Sequence, residues 1–408
     1  LPGAGGHPHT ARMIDQIRDE SLTLPKPQVL ILGASTRAAA MSALRAGFDP
    51  ICIDQFADAD LRQISSVTEI DSLSPGPKTQ LASAVKQVRH LPVIPVGGTE
   101  NQPDLLRDLA SQQTGYWGAS PAAVASVRDP FQLAEGLEEL KQRVLAVQPC
   151  VDPPPRDGQW VVKPIASAGG RHIAVWDEAA SIPQFAHFFQ QRVTGKVYSG
   201  LFLAETMPGD VRFVGLTRQL VGCTELDASP FAWCGNIGPV FLPVETEFLV
   251  RRWGNILKWK FGLTGLFGID FMVDEAGAPW LLEVNPRVTG SVEILELACA
   301  NSLLADHVAC YSPEAAAQAW EFAAPPYMPG GDRLGRAILY APRRLTSQIP
   351  LPDPIDWESA PRIADIPTPG SVIAAGQPVC SVYAWGENED EVTSRLFALA
   401  AEVQGLLR

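Results

Sequence analysis

No stretch of this 408-residue sequence approaches the roughly 20 consecutive apolar residues of a membrane helix, so no membrane span is expected. Positive charge is scarce. The 32 Lys and Arg against 45 Asp and Glu give a formal charge of −13 and a pI near 5.0, which argues against a nucleic-acid surface but not against a local basic pocket. The seven cysteines are scattered singly, with no CxxC pair and an odd total; this disfavours a disulfide framework or structural zinc and fits reduced thiols in a cytoplasm. Neither GxxxxGK[ST] nor GxGxxG occurs, and no Ser/His/Asp or Cys/His pattern points to a nucleophilic enzyme. Internal repeats are absent too. Leu1–Arg12, rich in Gly, Pro and His, lacks the apolar core of a signal peptide, and 1–25 is expected to be a tail or an expression remnant. What is present is 46% hydrophobic residues, enough core for two or three domains in one body.

The most informative stretch runs from Gly265 to Arg287, GLFGIDFMVDEAGAPWLLEVNPR. Two apolar runs flank a short polar turn and read as a β-hairpin. Folded about Ala276-Gly277, it sets Asp270 opposite Glu283, with Cβ atoms about 4.5–5.5 Å apart on one face. Alternation brings Asn285 to that face, and Arg287 close to it. Opposed carboxylates repel and need a cation; carboxylate and amide oxygens suit Mg²⁺, which takes a few protein oxygens plus substrate phosphates. The plain alternative is a surface hairpin with two unrelated acids.

Upstream, Gln28–Gly33, an Ala-rich helix to Ala46, and Pro50–Asp54 form a βαβ unit of an open parallel sheet. A further strand, Leu91–Val96, runs into Gly97-Gly98-Thr99-Glu100-Asn101 and a helix from about Pro103 to Ser111. Ser35 and Arg37 open the first helix, where free N–H groups and the helix dipole favour an anion; an ordinary turn with a solvated arginine is the other reading. Ser35, Arg37 and Glu100 are candidates for binding a substrate, with Ser35 and Arg37 suited to its acid group. Asp129–Val147 reads as a helix, and Pro149–Pro155 as a linker. Trp160–Trp176 reads as strand, Gly-rich loop, strand, with Lys163 and Ser167–Arg171 offering an ammonium and free backbone N–H groups to a polyphosphate. Lys196–Ala204 and Phe213–Gly222 read as strands, Gly235–Pro239 as a tight loop, and Glu245–Phe261 as a helix with Phe248, Trp253, Ile256 and Leu257 in the core. Ser291–His307 is a helix behind the hairpin. Arg336–Tyr340 and Val379–Ala384 are strands of a small β-rich end, closed by a helix over Asp390–Leu407.

With these residues in view, the chain resembles the ATP-grasp superfamily of carboxylate–amine and carboxylate–thiol ligases. The order matches: an α/β domain, a lysine with a Gly-rich loop, then D…E-x-N-P-R on adjacent strands. The stretches GASTRAAA, IDQFADADL, QQRVTG, GNIGP and LLEVNPRVTGSVE resemble the predicted ATP-dependent carboligases. The resemblance implies an α/β ATP-grasp fold: an open parallel α/β domain over 26–120, a central α+β lid over 121–200, and an antiparallel β domain with the metal site over 201–324. A β-rich subdomain would follow over 325–408. It implies ATP, with Mg²⁺ or Mn²⁺, as cofactors. Lys163 resembles the lysine on the ATP phosphates, and Ser167, Ala168, Gly169, Gly170 and Arg171 the loop folded over them. Gln191, Arg192 and Val193 would border the adenine. Asp270, Glu283 and Asn285 resemble the metal ligands, and Arg287 the arginine on the transferring phosphoryl group. Many relatives carry a further ATP-binding lysine where this chain has Arg128, which is the candidate for that role.

The implied reaction is attack of a substrate carboxylate on the γ-phosphate, giving an acyl phosphate that an amine captures. Phosphorylation supplies the leaving group that a carboxylate lacks, so positioning and charge neutralisation suffice. The partners would be a small-molecule carboxylate and amine, the chain a cytoplasmic monomer or homodimer, and the pathway one of pterin or furan C1-coenzyme biosynthesis. Two rivals stand beside this reading. A biotin-carboxylase-like enzyme would place a glutamate four residues after Arg287, where this chain has Ser291. A non-catalytic nucleotide-binding protein need not keep the whole set.

Overall fold

Period-2 alternation of apolar residues on either side of a polar turn makes the hairpin, and the computed structural model shows it with Asp270 opposite Glu283. The structure describes residues 25–73, 80–112, 114–324, 332–352 and 354–407. The expected tail lies, apart from Pro25, outside these residues.

A parallel sheet comes first, built from β1 (Gln28–Leu32), β2 (Asp49–Asp54), β3 (Ser66–Glu69), β4 (Pro92–Pro95) and β5 (Gly115–Tyr116) in the order β3-β2-β1-β4-β5. Its helices are α1 (Arg37–Arg45), α2 (Ala59–Ile64), α3 (Gln80–Gln87) and α4 (Pro103–Gln112). Next come α5 (Pro121–Arg128) and α6 (Pro130–Glu138). A four-stranded lid sheet follows, β6 (Val147–Pro149), β7 (Asp157–Pro164), β8 (Ala174–Asp177) and β9 (His187–Gln191), ordered β6-β9-β7-β8.

The third sheet has eight strands. It contains β10 (Lys196–Ala204), β11 (Val211–Val221), β12 (Trp233–Val240), β13 (Gly265–Val273), β14 (Pro279–Asn285) and β15 (Arg333–Tyr340). Beyond a minor pair, β16 (Leu345–Thr346) with β18 (Val372–Ile373), it takes up β17 (Ile363–Ala364) and β19 (Pro378–Gly386). The order is β14-β13-β10-β11-β12-β15-β19-β17. Helix α7 (Val244–Phe261) packs on this sheet, followed by α8 (Gly290–Cys299), α9 (Leu303–Ala309), α10 (Pro313–Trp320) and, at the end, α11 (Glu389–Leu406). The whole is the mixed α/β fold expected: an open parallel domain, a lid, and an antiparallel domain.

Several elements differ from expectation, each for a local reason. The helix over Asp129–Val147 stops at Glu138, and Lys141 takes a left-handed φ of +54° where the chain turns toward β6. Gly235–Pro239 is not a loop but the middle of β12. Its glycines mark close packing, since a Cβ on Gly235 would lie 2.0 Å from the Arg336 carbonyl of β15. Phe248 is 64% exposed, because the buried stripe of α7 runs through Val250, Trp253 and Leu257, and Phe248 falls some 200° round the helix from Val250. The helix over Ser291–His307 breaks at Ala300 (φ +51°), and the Glu296 carboxylate accepts the Leu303 N–H at 2.8 Å to start α9. The strands read as a separate β-rich end, β15 and β19, extend the large sheet through the pairing of β12 with β15.

The small side chains of α1 explain how the first sheet joins the third. Ala39, Ala40 and Ala43 let α1 approach Val292, Leu295 and Leu304 in one continuous core. His307 ties the same layers together: its Nδ1 accepts the Leu266 N–H at 2.9 Å, and its Nε2 lies 3.1 Å from the Trp117 carbonyl. That geometry requires the neutral ring protonated at Nε2, and burial holds its pKa down at about 4. The unfolded imidazole binds its proton near pH 6.5, so the folded form is disfavoured as pH falls from about 6.5 toward 4. The native protein is expected to lose about 2 kcal/mol of stability at pH 5 relative to pH 7 that His307→Gln does not lose. Urea unfolding of both proteins at the two pH values checks this, and equal losses would contradict it.

Candidate active site

Three parts of the chain converge on one cavity of about 490 Å³. Strand β7 brings Lys163, and the loop after it brings Ser167–Gly170. Strand β9 brings Gln190, and the hairpin brings Asp270, Glu283, Asn285 and Arg287. Its lining is apolar at Leu133, Leu137, Val144, Leu145, Met272 and Leu281, and polar at Gln219, Asn236, Thr289 and Ser291, with Trp233 beside Asn236.

The hairpin pair is electrostatically uneven. Burial, then the Glu283 charge beside it, pushes Asp270 up to about 7. Glu283 is held below the usual carboxylate range: burial opposes this, but Lys163 and Arg128 more than offset it. Asp270 accepts hydrogen bonds from Gln219 Nε2 at 2.6 Å and Asn285 Nδ2 at 2.8 Å. Lys163 donates to Gln190 Oε1 at 3.2 Å, and its pKa is lowered chiefly by burial, with Glu283 pulling the other way. Among the described residues no group of three His, Cys, Asp or Glu side chains is placed to hold a metal. Two carboxylates and an amide do face one cavity beside a lysine, a donor set that suits a hard cation shared with phosphate oxygens.

The Gly-rich loop lies against β12 and the first domain. The Gly169 carbonyl accepts the Trp233 N–H at 3.0 Å, and a Cβ on Gly170 would come within 1.8 Å of the Phe231 carbonyl. The Ser167 carbonyl accepts from Asn101 Nδ2 (3.2 Å) and Arg128 Nη2 (3.1 Å). Arg128 also reaches Glu283, Nη1 to Oε2, at 3.6 Å. Arg171 is exposed and does not line the cavity.

Two sets of expected site residues lie elsewhere. Gln191, Arg192 and Val193 do not line the cavity; Gln190 does. Period-2 alternation along β9 turns Gln190 inward and Gln191 outward, where its Oε1 accepts the Ala146 N–H. Arg192 and Val193 instead line a separate, open depression with Gly158, Gln159, Asp274 and Trp280. Ser35 and Arg37 do not form an anion site. The mouth of α1 is already occupied by Asp54, whose Oδ2 accepts from Thr36 N at 2.5 Å and Thr36 Oγ1 at 2.8 Å. Ser35 is exposed, and Arg37 is fully buried with its guanidinium on Glu293 (2.5 Å), Asp365 (2.8 Å) and Tyr383 (2.7 Å). Glu100 is not open to a substrate either; its Oε1 accepts Arg287 Nε at 2.7 Å.

Residues not anticipated from the sequence are Gln190, Gln219, Asn236 and Asn101. Strand alternation from the buried Phe189 was the signal for Gln190, and Asn236 was hidden by reading β12 as a loop. For Gln219 and Asn101 no local signal exists, since their roles arise from distant pairings.

Residues 136–291 match the family model for an ATP-grasp domain. No curated protein matches the sequence significantly. Among solved structures, the L-amino acid ligase of Bacillus licheniformis is 13% identical with a TM-score of 0.63, covering 93% of this chain and 98% of its own. The biotin carboxylase domain of Hydrogenobacter thermophilus 2-oxoglutarate carboxylase, a dimer with MgADP and bicarbonate, is 13% identical with a TM-score of 0.64, over 91% of this chain and 89% of its own. Pyruvate carboxylase of Rhizobium etli is 13% identical with a TM-score of 0.65 over 92% of this chain, which spans 37% of that enzyme's length. Residues 136–291 are thus an ATP-grasp domain, and the chain that carries them has the fold of the ATP-grasp proteins.

Proposed function

We propose that the protein is an ATP-dependent ligase that phosphorylates a substrate carboxylate and joins it to an amine, releasing ADP and phosphate. The observation that carries this reading is the convergence of Lys163, the Ser167–Gly170 loop, Asp270, Glu283, Asn285 and Arg287 on one cavity. The apolar lining residues suit a nucleobase, and Lys163 with the loop N–H groups suits its phosphates. Asp270, Glu283 and Asn285 would hold Mg²⁺ or Mn²⁺, which supplies charge neutralisation at the phosphates. Arg287 lines the same cavity within charge range of both carboxylates, which suits it to a transferring phosphoryl group and an acyl phosphate. Arg128 holds the loop carbonyl and Glu283 together, which suits it to sense closure over the nucleotide.

The fold is shared with carboxylases, so the site must decide between the readings. Ser291, where a bicarbonate base would stand, is bonded to Thr217 Oγ1 (2.9 Å) and Asn236 Nδ2 (3.3 Å). The nearest acid in sequence, Glu293, is buried on Arg37 and Tyr383. With no carboxylate there to deprotonate bicarbonate, amine ligation is the better-supported chemistry. A protein that only binds nucleotide would have no use for Arg287 beside an intact carboxylate pair.

The test is ADP formation from MgATP in a screen of amino acids and pterin or furan precursors, with bicarbonate and biotin as a separate arm. ADP release that requires both an acid and an amine supports the ligase. Release with bicarbonate alone, or tight MgATP binding with no turnover in any arm, would overturn it. A companion expectation is that Lys163→Ala weakens nucleotide binding by about 1.5–3 kcal/mol, the worth of charged hydrogen bonds. Calorimetry showing unchanged affinity would remove Lys163 from the site.

A further inference from the structure

The geometry points to Glu100 as a positioning residue: a carboxylate from the first domain that sets the orientation of Arg287 in the third. This rests on the ligase reading above, in which Arg287 meets the acyl phosphate. The two side chains stand 187 residues apart in sequence, meet at 2.7 Å, and are 3% and 16% exposed. Glu100 takes the Nε edge of the guanidinium. Nη1 donates to the Val288 carbonyl at 3.1 Å, and Nη2 lies 3.4 Å from Asn285 Oδ1. The guanidinium is planar by itself; a carboxylate on its Nε edge fixes the direction in which that plane presents its Nη groups, and bidentate recognition of a phosphoryl or carboxylate group depends on that direction.

The loop that carries Glu100 is built for the purpose. Gly98 adopts φ +94°, a conformation that L side chains rarely take, and a Cβ there would meet Leu73 at 2.8 Å. Thr99 Oγ1 then donates back to the Val96 carbonyl at 2.7 Å, and both Thr99 and Glu100 are buried.

Glu100 differs from the structural carboxylates of the same molecule. Buried Glu293 uses Oε1 on Arg37 and Oε2 on Arg37 and Tyr383, while Glu296 uses Oε1 on Ser42 and Leu303 N and Oε2 on Arg45. Among the described residues Glu100 Oε2, which is buried, has no hydrogen-bond partner. A half-satisfied buried carboxylate is a poor device for stability and is explained by what its other oxygen holds in place.

The experiment compares wild type, Glu100→Ala and Glu100→Gln in making ATP from MgADP and acetyl phosphate, which needs no knowledge of the natural acid. The phosphorus–oxygen bond to acetate breaks and one to the β-phosphate of ADP forms, leaving acetate and ATP. Glu100→Ala is expected to lose roughly 10- to 100-fold in kcat with the KM for MgADP unchanged. Glu100→Gln, whose amide oxygen still accepts the Nε proton, is expected to stay near wild type. A raised KM for acetyl phosphate at constant kcat, no change in Glu100→Ala, or an equal loss in both variants would overturn the inference. Phenylglyoxal labelling of Arg287, read by peptide mass, is run alongside and needs no turnover. Faster labelling in Glu100→Ala than in the other two proteins supports the positioning role, and equal labelling in all three overturns it. If wild type makes no ATP, the ligase reading is what fails, and labelling alone decides the role of Glu100. Should Glu100→Ala not fold, Glu100→Asp, one methylene short of Nε, takes its place.

Discussion

Glu283→Gln is expected to cost at least about 100-fold in turnover while leaving the protein folded. The replacement keeps the size of the side chain but removes the charge that Lys163 and Arg128 hold ionised. Asp270 is then the one carboxylate left beside the Asn285 amide, and a single negative charge holds a divalent cation poorly. In the metal-free protein the same change removes a repulsion between directly opposed residues of β13 and β14, so stability without ligand should hold or rise. The check is nucleotide affinity by calorimetry with and without Mg²⁺, beside the urea midpoint. The native protein should bind more tightly with Mg²⁺ and the variant should not. Glu275→Gln, the same chemistry at an exposed position in the turn of the same hairpin, should leave both quantities unchanged. A Glu283→Gln protein that kept its Mg²⁺ dependence and its turnover would remove the hairpin from the proposed metal site.

The hairpin was legible because everything that defines it is local. One turn pairs the strands as far as Phe271 with Leu281, a one-residue shift at Leu282 then sets Asp270 against Glu283, and alternation puts Asn285 on the same face. Lys163 and the glycines after it were legible for the same reason, as a strand end followed by small residues. What was missed depends on the third dimension. Gln190 and Gln191 differ only in which way the pleat turns them, and a hinge-like sequence gives no sign of that. The motif of Ser35 and Arg37 looks like an anion site from its sequence neighbours, but Asp54 reaches the helix mouth first from the next strand. Glu100 and Arg287, or Arg37 and Asp365, are pairs 187 and 328 residues apart, and neither member announces its partner.

Arg37→Ala, expected from the sequence to weaken binding of an acid, is instead expected to destabilise the fold by about 3–5 kcal/mol. Arg37 is fully buried between two carboxylates, Glu293 on α8 and Asp365 just after β17, and Tyr383 on β19 donates its hydroxyl proton to Glu293 Oε2 at 2.6 Å. Arg336 joins the same cluster through Asp365 at 2.7 Å and Ser381 at 3.0 Å. Both carboxylates stay ionised against the cost of burial, because Arg37 supplies the largest of the charges that hold their pKa values down. Removing it leaves two buried anions sharing Arg336, and Asp60, held next to Asp365 by accepting the Asp365 and Ile366 N–H groups, adds a like charge beside it. The loss therefore exceeds what an alanine cavity alone would cost. Neutralising the stranded partners should recover part of it, so the triple change Arg37→Met, Glu293→Gln, Asp365→Asn is expected to be more stable than Arg37→Ala. Urea midpoints of the three proteins measure both statements, and nucleotide affinity at a temperature where each is folded should be the same in all. A variant Arg37→Ala as stable as the native chain but with weakened turnover would restore the sequence reading, and with it an acid-binding role at the mouth of α1.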